Sequence, residues 1–321
     1  MRRGTRLEAW AFALLILLAP TTAAKGIEVQ RGPALDFLAS RLDGTGTLAA
    51  NIAEAAHANG LDPSTWPSAL DPVANHIPPT VSADASNVSL LRPLRALAFA
   101  HHPAAAPDGD LTLRVLAKVG PDGFGDPQSL NDDAYAILAL RAVGLGADDL
   151  RLQAARSHLL ATQGTDGGWG WAIGAPSGTD LTGLTVEALA VSGGVPEDVA
   201  AGALTFLAST RGDSGFAETP GGTPNCESTV WGLRATDHLG TTPRATDWRF
   251  LLGLQLRDGG FSHLPGGLSD LLCTTEAATL LGEAHAGIVA GPALDGRGIP
   301  APGGLAVIAV AVAAALRIRR P

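Results

Sequence analysis

The sequence predicts an all-α protein in which about six helix pairs close into an α/α toroid, an α6/α6 barrel. Two observations carry this prediction. A short glycine-rich phrase recurs at nearly fixed spacing, and each phrase joins an amphipathic helix to a helix that is apolar on all sides. A constant period of about 45 residues is typical of stacked helix-pair units.

Four glycine phrases lie 44, 47 and 45 residues apart, at residues 122–125, 166–169, 213–216 and 258–261. Glycine permits a turn with positive φ between two helices, and an aromatic ring in the phrase can stack on the neighbouring repeat. We therefore expect the aromatic residues of the phrases to be structural rather than to form a substrate cage. They are Phe124, Trp169, Trp171, Phe216 and Phe261.

The helix after each phrase is predicted to lie inside the ring and the helix before it outside. The four inner stretches align without a gap, open with polar residues and end at glycine, as helix caps require. They are residues 131–144, 180–193, 227–240 and 274–287. The outer helices carry a single apolar stripe, such as Leu152, Ala155 and Leu159.

Two weaker helix pairs precede these four repeats. They pair residues 34–41 with 47–59 and residues 70–76 with 90–100. Six pairs would let the array close on itself, so that no end repeat exposes its apolar face.

The two ends of the chain carry most of the clustered basic residues. Residues 1–24 predict a secretory signal peptide, with an uncleaved membrane anchor as the alternative, because a basic start precedes a short apolar run and small residues. Residues 25–288 form the toroid and 289–298 a linker. Residues 299–316 predict a transmembrane helix, with a buried domain helix as the alternative, and 317–321 a cytoplasmic basic tail.

The C-terminal order of a Pro/Gly motif, an apolar helix and an arginine cluster resembles the sorting tails of prokaryotic surface proteins. That resemblance implies a sorting peptidase as a partner, although no L-P-x-T-G motif is present.

The net charge of −9 is distributed unevenly. Without its basic ends the body holds 16 basic and 30 acidic residues, a net charge of −14. Such a body repels a phosphate backbone, so the composition excludes a general nucleic-acid binder.

The phrase D-G-G-W-G-W at residues 166–171 and D-G-G-F at 258–261, with the helical runs that follow, resemble the prenyltransferase and squalene-cyclase repeat. The resemblance covers residues 30–288, most clearly from residue 109 onward. It implies a terpenoid cyclase/protein prenyltransferase-like toroid, a fold that also serves cobalamin carriers and complement-like thioester domains. The repeat specifies the fold and not an activity.

The catalytic patterns of these families are incomplete here. The D-x-D-D acid of type II terpene cyclases is absent, and such cyclases resemble two joined toroids whereas this chain has room for one. The zinc pattern of protein prenyltransferases carries one residue too many between Asp270 and Cys273, and His285 lies too far along the same helix. The C-G-E-Q thioester motif is also missing, so we predict no catalytic residue and no metal site, and the cofactor is unknown.

Polar residues at the starts of the inner helices are predicted to line one cavity mouth, where they could bind a ligand. They are Asp132, Asp133, Asp180, Thr182, Glu227, Thr229 and Thr275. Each can also cap its helix, and together they favour a cationic or metal-bridged ligand over a bare anion. Deeper in the ring, the alignment places Glu187 level with Arg234, which predicts either a buried ion pair or two side chains in a wet cavity.

Cys226 and Cys273 align one residue before their inner helices. A disulfide between them is the first interpretation for an exported protein; free buried thiols and a metal pair are the alternatives.

These observations predict an exported, membrane-anchored surface protein that binds a small molecule or a surface component without catalysis. The alternative is an isoprenoid-active enzyme of the cyclase or prenyltransferase type, and a third interpretation is a structural module with a filled cavity.

Overall fold

The computed structural model describes residues 22–42, 47–79, 86–121 and 123–288. These residues form α-helices joined by short loops, with two small hairpins. In chain order the helices are α1 (Thr22–Ala39), α2 (Thr47–Ala58), α3 (Asn87–Phe99), α4 (Asp110–Leu116), α5 (Leu130–Val143), α6 (Leu150–Ala161), α7 (Thr179–Val191), α8 (Glu197–Thr210), α9 (Cys226–His238), α10 (Ala245–Leu252) and α11 (Leu271–Ala286).

Six of these helices form a closed inner ring. Helix α2 packs on α3, α3 on α5, α5 on α7, α7 on α9, α9 on α11, and α11 returns to α2. Helices α1, α4, α6, α8 and α10 pack against the outside of the ring, and the short 3-10 helix Val73–His76 takes the outer position next to α2. The predicted all-α toroid of six helix pairs is therefore confirmed.

Each glycine phrase lies in the loop between an outer helix and the inner helix that follows it. Two of them include short antiparallel hairpins, β1 (Val119–Gly120) with β2 (Gly123–Phe124) and β3 (Phe261–Ser262) with β4 (Ser269–Asp270). In the third phrase Gly215 has a φ of +74°, in the left-handed region that glycine adopts without strain.

Each phrase is fastened to the inner helix that follows it by one repeated hydrogen bond. The backbone N–H of Trp169 donates to Thr182 Oγ1 at 3.0 Å, and that of Phe216 donates to Thr229 Oγ1 at 3.0 Å. The equivalent bonds run from Phe261 N–H to Thr274 Oγ1 at 2.8 Å and from Phe124 N–H to Asp133 Oδ1 at 2.7 Å. The side chains of Phe124, Trp169, Phe216 and Phe261 are almost fully buried.

This repeated bond corrects the alignment of the last repeat. The donor and acceptor are 13 residues apart in the second, third and fourth phrases, so Thr274 is the equivalent of Thr229. The sequence alignment had matched Thr274 to Glu227 instead, two residues earlier. Consequently Cys226 and Cys273 are not equivalent: Cys226 begins α9, whereas Cys273 is the third residue of α11.

The inner helices α7 and α9 approach closely at a glycine. A Cβ added to Gly183 would lie 2.7 Å from the carbonyl oxygen of Trp231 and 2.8 Å from its Cβ. Only glycine fits this distance. Trp231 is thereby held against α7 on the cavity side of the ring.

The predicted terminal segments fall largely outside the described residues. Helix α1 begins at Thr22, so it overlaps the last three residues of the predicted signal peptide. Residues 1–21 and 289–321, which include the predicted linker, transmembrane helix and basic tail, lie outside the description. Among the described helices none is both long enough and apolar enough to cross a membrane.

Candidate functional site

A cavity of about 160 Å³ opens among the starts of α7, α9 and α11. Three aromatic rings, two leucines, three carboxyl groups and one guanidinium group line it. They belong to Tyr135, Trp171, Trp231, Leu184, Leu272, Asp180, Glu227, Glu276 and Arg92. This combination of a mainly apolar wall with a few converging polar groups is typical of a ligand site.

Asp180, the second residue of α7, is the most strongly perturbed acid of the cavity wall. Burial raises the pKa of its carboxyl to about 9, with the negative charge of Glu218 as the next cause. The Oδ1 atom of Asp180 is buried and has no hydrogen-bond partner among the described residues. At neutral pH this carboxyl therefore holds a proton.

Glu218 reaches Asp180 from the following repeat. Its Oε2 accepts a hydrogen bond from the backbone N–H of Asp180 at 3.1 Å and a longer one from Ser228 Oγ at 3.4 Å. The backbone carbonyl of Glu218 accepts from the N–H of Thr179 at 2.9 Å. The charge of Glu218 adds to the effect of burial and disfavours ionisation of Asp180.

The aromatic rings of the cavity come from two inner helices, α5 (Tyr135) and α9 (Trp231), and from the loop before α7 (Trp171). Tyr135 and Trp231 are buried, whereas Trp171 is 52% exposed at the mouth. Arg92 stacks over the Tyr135 ring with 4.7 Å between its Cζ and the ring centroid, and also donates a short hydrogen bond to the Tyr135 hydroxyl. Such rings present negative π faces that can stabilise a positive charge.

Glu276 lies on α11 at the inner end of this cavity. Burial raises the pKa of its carboxyl to about 7, and the charge of Glu227 adds to the effect. Its Oε2 is buried without a hydrogen-bond partner among the described residues. Near neutral pH, Glu276 is therefore divided between its neutral and ionised forms.

A chain of buried ion pairs crosses the ring below the cavity. Arg95 contacts Glu54 and Glu187, each at 3.3 Å, and Arg234 contacts Glu187 at 3.1 Å and Glu283 at 2.6 Å. The predicted Glu187–Arg234 pair is thus confirmed. Burial would raise the pKa of Glu187, but the two arginines outweigh it and lower that pKa. The five side chains form one chain of charges of alternating sign, Glu54–Arg95–Glu187–Arg234–Glu283.

The structure divides the predicted mouth residues into two groups. Asp133, Thr182 and Thr229 bind the glycine phrases, and Asp133 also lies 2.6 Å from His158 Nδ1. Burial raises the pKa of Asp133 to about 6. These three residues are structural and do not line the cavity described above.

The remaining predicted residues have mixed positions. Asp180, Glu227 and Trp171 line the cavity. Arg234 and Thr275 line a smaller void of about 30 Å³ between the cavity and the ion pairs. Asp132 instead accepts a hydrogen bond from Asn87 Nδ2 at 2.6 Å. The expectation that Trp171 is repeat packing, like the buried aromatic residues, does not fit its position.

Several site residues were missed from the sequence. Tyr135, Trp231 and Glu276 sit inside runs that look like uniform core helix, and in the corrected register Glu276 is equivalent to the other two. Glu218 lies in a loop whose sequence carries no motif. The one sequence signal for Glu276 is a carboxyl group inside an otherwise apolar inner-helix run, next to a helix that carries an aromatic residue.

The two cysteines are free thiols in the structure, which corresponds to the second of the three sequence interpretations. Cys226 Sγ lies 3.7 Å from the carbonyl oxygen of Cys273. Cys273 Sγ instead lies 3.7 Å from Glu227 Oε1 and 3.7 Å from His263 Nδ1. His263 Nδ1 is 3.6 Å from Glu227 Oε2, so these three side chains form a compact group at the cavity mouth.

Comparisons with known proteins give relatives of one kind. The chain is 30% identical over 220 residues to a drimenyl diphosphate synthase of Streptantibioticus cattleyicolor, covering 61% of this chain and 41% of that protein. It is 34% identical over 122 residues to a drimenyl diphosphate synthase of Streptomyces showdoensis, covering 35% and 23%. The chain therefore spans less than half of the length of these relatives. No protein-family model matches it.

Solved structures decide the fold. The type II terpene cyclase MstE from Scytonema superposes with a TM-score of 0.54 at 15% identity, covering 82% of this chain and 99% of that one. A variant of MstE in complex with its substrate, geranylgeranyl dihydroxybenzoate, gives a TM-score of 0.53 at 14% identity. The chain has a terpenoid-cyclase-like fold.

This terpenoid-cyclase-like fold removes one objection raised from the sequence. The expectation that a type II cyclase requires two joined toroids is wrong for this neighbour, because the part of this chain that superposes on MstE covers nearly all of it.

The comparisons also overturn two predictions. A non-enzymatic ligand-binding protein is contradicted, because the relatives are synthases and the structural neighbours are cyclases, some with substrate or product bound. The predicted location, anchored at the cell surface, is likewise contradicted: the relatives are named as diphosphate synthases, and no helix among the described residues could span a membrane. The alternative interpretation, an isoprenoid-active enzyme, fits the comparisons.

Proposed function

We propose that this chain is a terpene cyclase that starts ring formation by protonating a carbon–carbon double bond of a linear polyprenyl substrate. The observation that carries the proposal is Asp180, a carboxyl group with a pKa near 9 at the wall of a cavity lined by aromatic rings. A carboxylic acid that stays neutral at pH 7 is the group needed to give a proton to an alkene.

Asp180 and Glu218 together replace the missing D-x-D-D motif. In that motif neighbouring acids keep one carboxyl neutral, and here the neighbour comes from the next repeat rather than from the same helix. Asp180 and Glu218 are both half-buried, and Glu218 lies in the loop that precedes α9, beside the start of α7. It can return a proton to Asp180 after each turnover.

The cavity wall suits the cation that protonation creates. Transfer of the Asp180 proton to one alkene carbon leaves a carbocation on the other, which the next double bond attacks to close a ring. Tyr135, Trp171 and Trp231 offer π faces to this charge. Loss of a proton to a carboxylate ends the reaction, and Glu276 is the buried acid with a pKa suited to accept it.

The relatives suggest the substrate class. Two of them are named drimenyl diphosphate synthases, and that name describes a product that carries a diphosphate. We accordingly propose a linear polyprenyl diphosphate as the substrate. The bond between its carbon chain and the diphosphate stays intact during cyclisation. The neighbour's geranylgeranyl dihydroxybenzoate is an alternative chain length and head group to test.

Incubation with farnesyl diphosphate and, separately, geranylgeranyl diphosphate in heavy water tests this function. After enzymatic dephosphorylation, gas chromatography with mass spectrometry should show a cyclic alcohol carrying one deuterium from the initiating proton. Asp180→Asn should abolish the product. Asp132→Asn removes an acid from the start of the neighbouring inner helix, outside the cavity, and should keep activity. Cyclisation by the Asp180→Asn variant, or consumption of neither substrate by the wild-type protein, would contradict the proposal.

A further inference from the structure

Three side chains of different chemistry converge beside the cavity mouth. Glu227 comes from the first turn of α9, Cys273 from the first turn of α11, and His263 from the loop between β3 and β4. The Cys273 Sγ atom is 3.7 Å from both Glu227 Oε1 and His263 Nδ1, and His263 Nδ1 is 3.6 Å from Glu227 Oε2. Among the residues that the structure describes, no other group of His, Cys, Asp and Glu side chains converges in this way.

These separations match the edges of a metal-centred tetrahedron. With a Zn–S distance of about 2.3 Å and Zn–N and Zn–O distances of about 2.0–2.2 Å, two ligand atoms of a tetrahedral zinc site lie roughly 3.3–3.7 Å apart. The three observed distances of 3.6 and 3.7 Å lie at the upper end of that range. We infer that Glu227, His263 and Cys273 bind one zinc ion.

The donor atoms select zinc over the hard divalent cations. Magnesium and calcium bind oxygen ligands almost exclusively, whereas thiolate and imidazole favour zinc among the common ions without redox chemistry. The set contains one sulfur, one nitrogen and one carboxylate, which is a mixed set typical of zinc.

The site keeps one coordination position open. Cys226 does not supply a fourth ligand, because its Sγ is directed to the carbonyl oxygen of Cys273, at 3.7 Å, and is not part of the converging group. The side chains of His263 and Glu227 are 46% and 24% exposed, and Glu227 also lines the cavity. Three protein ligands with an accessible fourth vertex are characteristic of zinc sites that bind water or an anionic oxygen.

Backbone hydrogen bonds hold two of the three ligands in place without a metal. The N–H of Cys226 donates to the carbonyl oxygen of His263 at 3.0 Å, which ties the loop to the start of α9. The N–H of Cys273 donates to Asp270 Oδ1 at 2.9 Å, which caps α11. The three donors are therefore brought together by the fold itself, and little ordering is left for the ion to impose.

Metal titration of the reduced, chelator-treated protein tests the inference. Isothermal titration with zinc chloride should give one equivalent bound. Cobalt(II) should give the intense visible bands of tetrahedral coordination, together with a thiolate-to-metal charge-transfer band in the near ultraviolet. A weak octahedral cobalt spectrum without the thiolate band, or less than about a tenth of an equivalent of zinc bound, would overturn it.

Single variants identify the ligands. His263→Asn and Cys273→Ser should each weaken zinc binding by more than about 100-fold. Replacing a residue that only supports a ligand usually costs about 10–100-fold, so a larger loss identifies a direct ligand. Cys226→Ser is the matched control and should bind zinc as the wild type does. His263 is an exposed loop residue, so its variant folds even if Cys273→Ser does not, and circular dichroism checks both. Wild-type affinity in His263→Asn, or an equal loss in Cys226→Ser, would rule out this ligand set.

Discussion

Arg234 Nη2 lies 3.1 Å from Glu187 Oε2, and each of the two side chains is only 6% exposed. They belong to neighbouring inner helices, α9 and α7. Glu283 on α11 contacts the same arginine at 2.6 Å, and Arg95 on α3 contacts the same glutamate at 3.3 Å. The ion pairs therefore join four of the six inner helices directly, and Glu54 adds α2 as a fifth.

Arg234→Leu should destabilise the protein by about 3–5 kcal/mol, because it leaves Glu187 and Glu283 buried with one cation fewer. Urea unfolding followed by circular dichroism measures the change. Arg151→Leu removes an exposed arginine paired with Asp149 and should cost no more than about 1 kcal/mol. Equal losses in the two variants would mean that the pairs crossing the ring are not buried in solution.

The Glu187–Arg234 pair could be predicted because it depends on a short local alignment. Both residues lie five positions after the threonine that binds the glycine phrase, Thr182 in one repeat and Thr229 in the next. Glu283 and Arg95 could not be predicted in the same way. Glu283 lies nine positions after Thr274, about one turn beyond the level of Glu187 and Arg234, and Arg95 lies in a helix without a clear glycine phrase.

Thr229→Val should destabilise the protein by about 1–3 kcal/mol. The substitution keeps the shape but leaves the buried N–H of Phe216 without its acceptor, and the cost of an unsatisfied buried donor is of that size. Chemical denaturation is the measurement. Thr205→Val removes an exposed hydroxyl from α8 and should change stability by no more than about 0.5 kcal/mol. A loss in Thr229→Val that is no larger than in Thr205→Val would contradict the fastening role of the repeated bond.

The candidate site shows why fold and chemistry were unequally predictable. Repeats, caps and glycine turns are local patterns, so the six helix pairs could be read from the sequence. The proposed proton donor does not depend on a local pattern: burial within the ring raises the pKa of Asp180, and Glu218, 38 residues later in the chain, raises it further. A search for a contiguous motif finds neither residue, which is why the sequence alone predicts no catalytic residue.

Asp180→Asn should stabilise the protein at alkaline pH while it abolishes cyclisation. The pKa of this carboxyl is raised from its ordinary value to about 9 in the folded state, so the wild type loses stability as the pH rises from about 4 to about 9. The asparagine variant has no such loss. At pH 8 it should be more stable by on the order of 2 kcal/mol.

The comparison at two pH values is the control for this stabilisation. Near pH 4 the folded carboxyl is protonated and the unfolded one is about half ionised, so the linkage contributes less than about 1 kcal/mol and the two proteins should unfold at similar denaturant concentrations. A stability difference that is the same at pH 4 and pH 8 would show that Asp180 is not kept neutral by the fold.

The cyclisation rate should depend on pH as a bell-shaped curve, because the reaction needs Glu276 ionised and Asp180 protonated. The pKa of Glu276 near 7 sets the acidic limb and the pKa of Asp180 near 9 sets the alkaline limb. Glu276→Gln should lower kcat by about 10²–10⁴-fold, the usual contribution of a general base, and remove the acidic limb. Asp133→Asn alters another acid with a raised pKa, near 6, outside the cavity, and should leave the limb near 7 in place. An acidic limb that persists in Glu276→Gln would assign the terminal proton acceptor to another group.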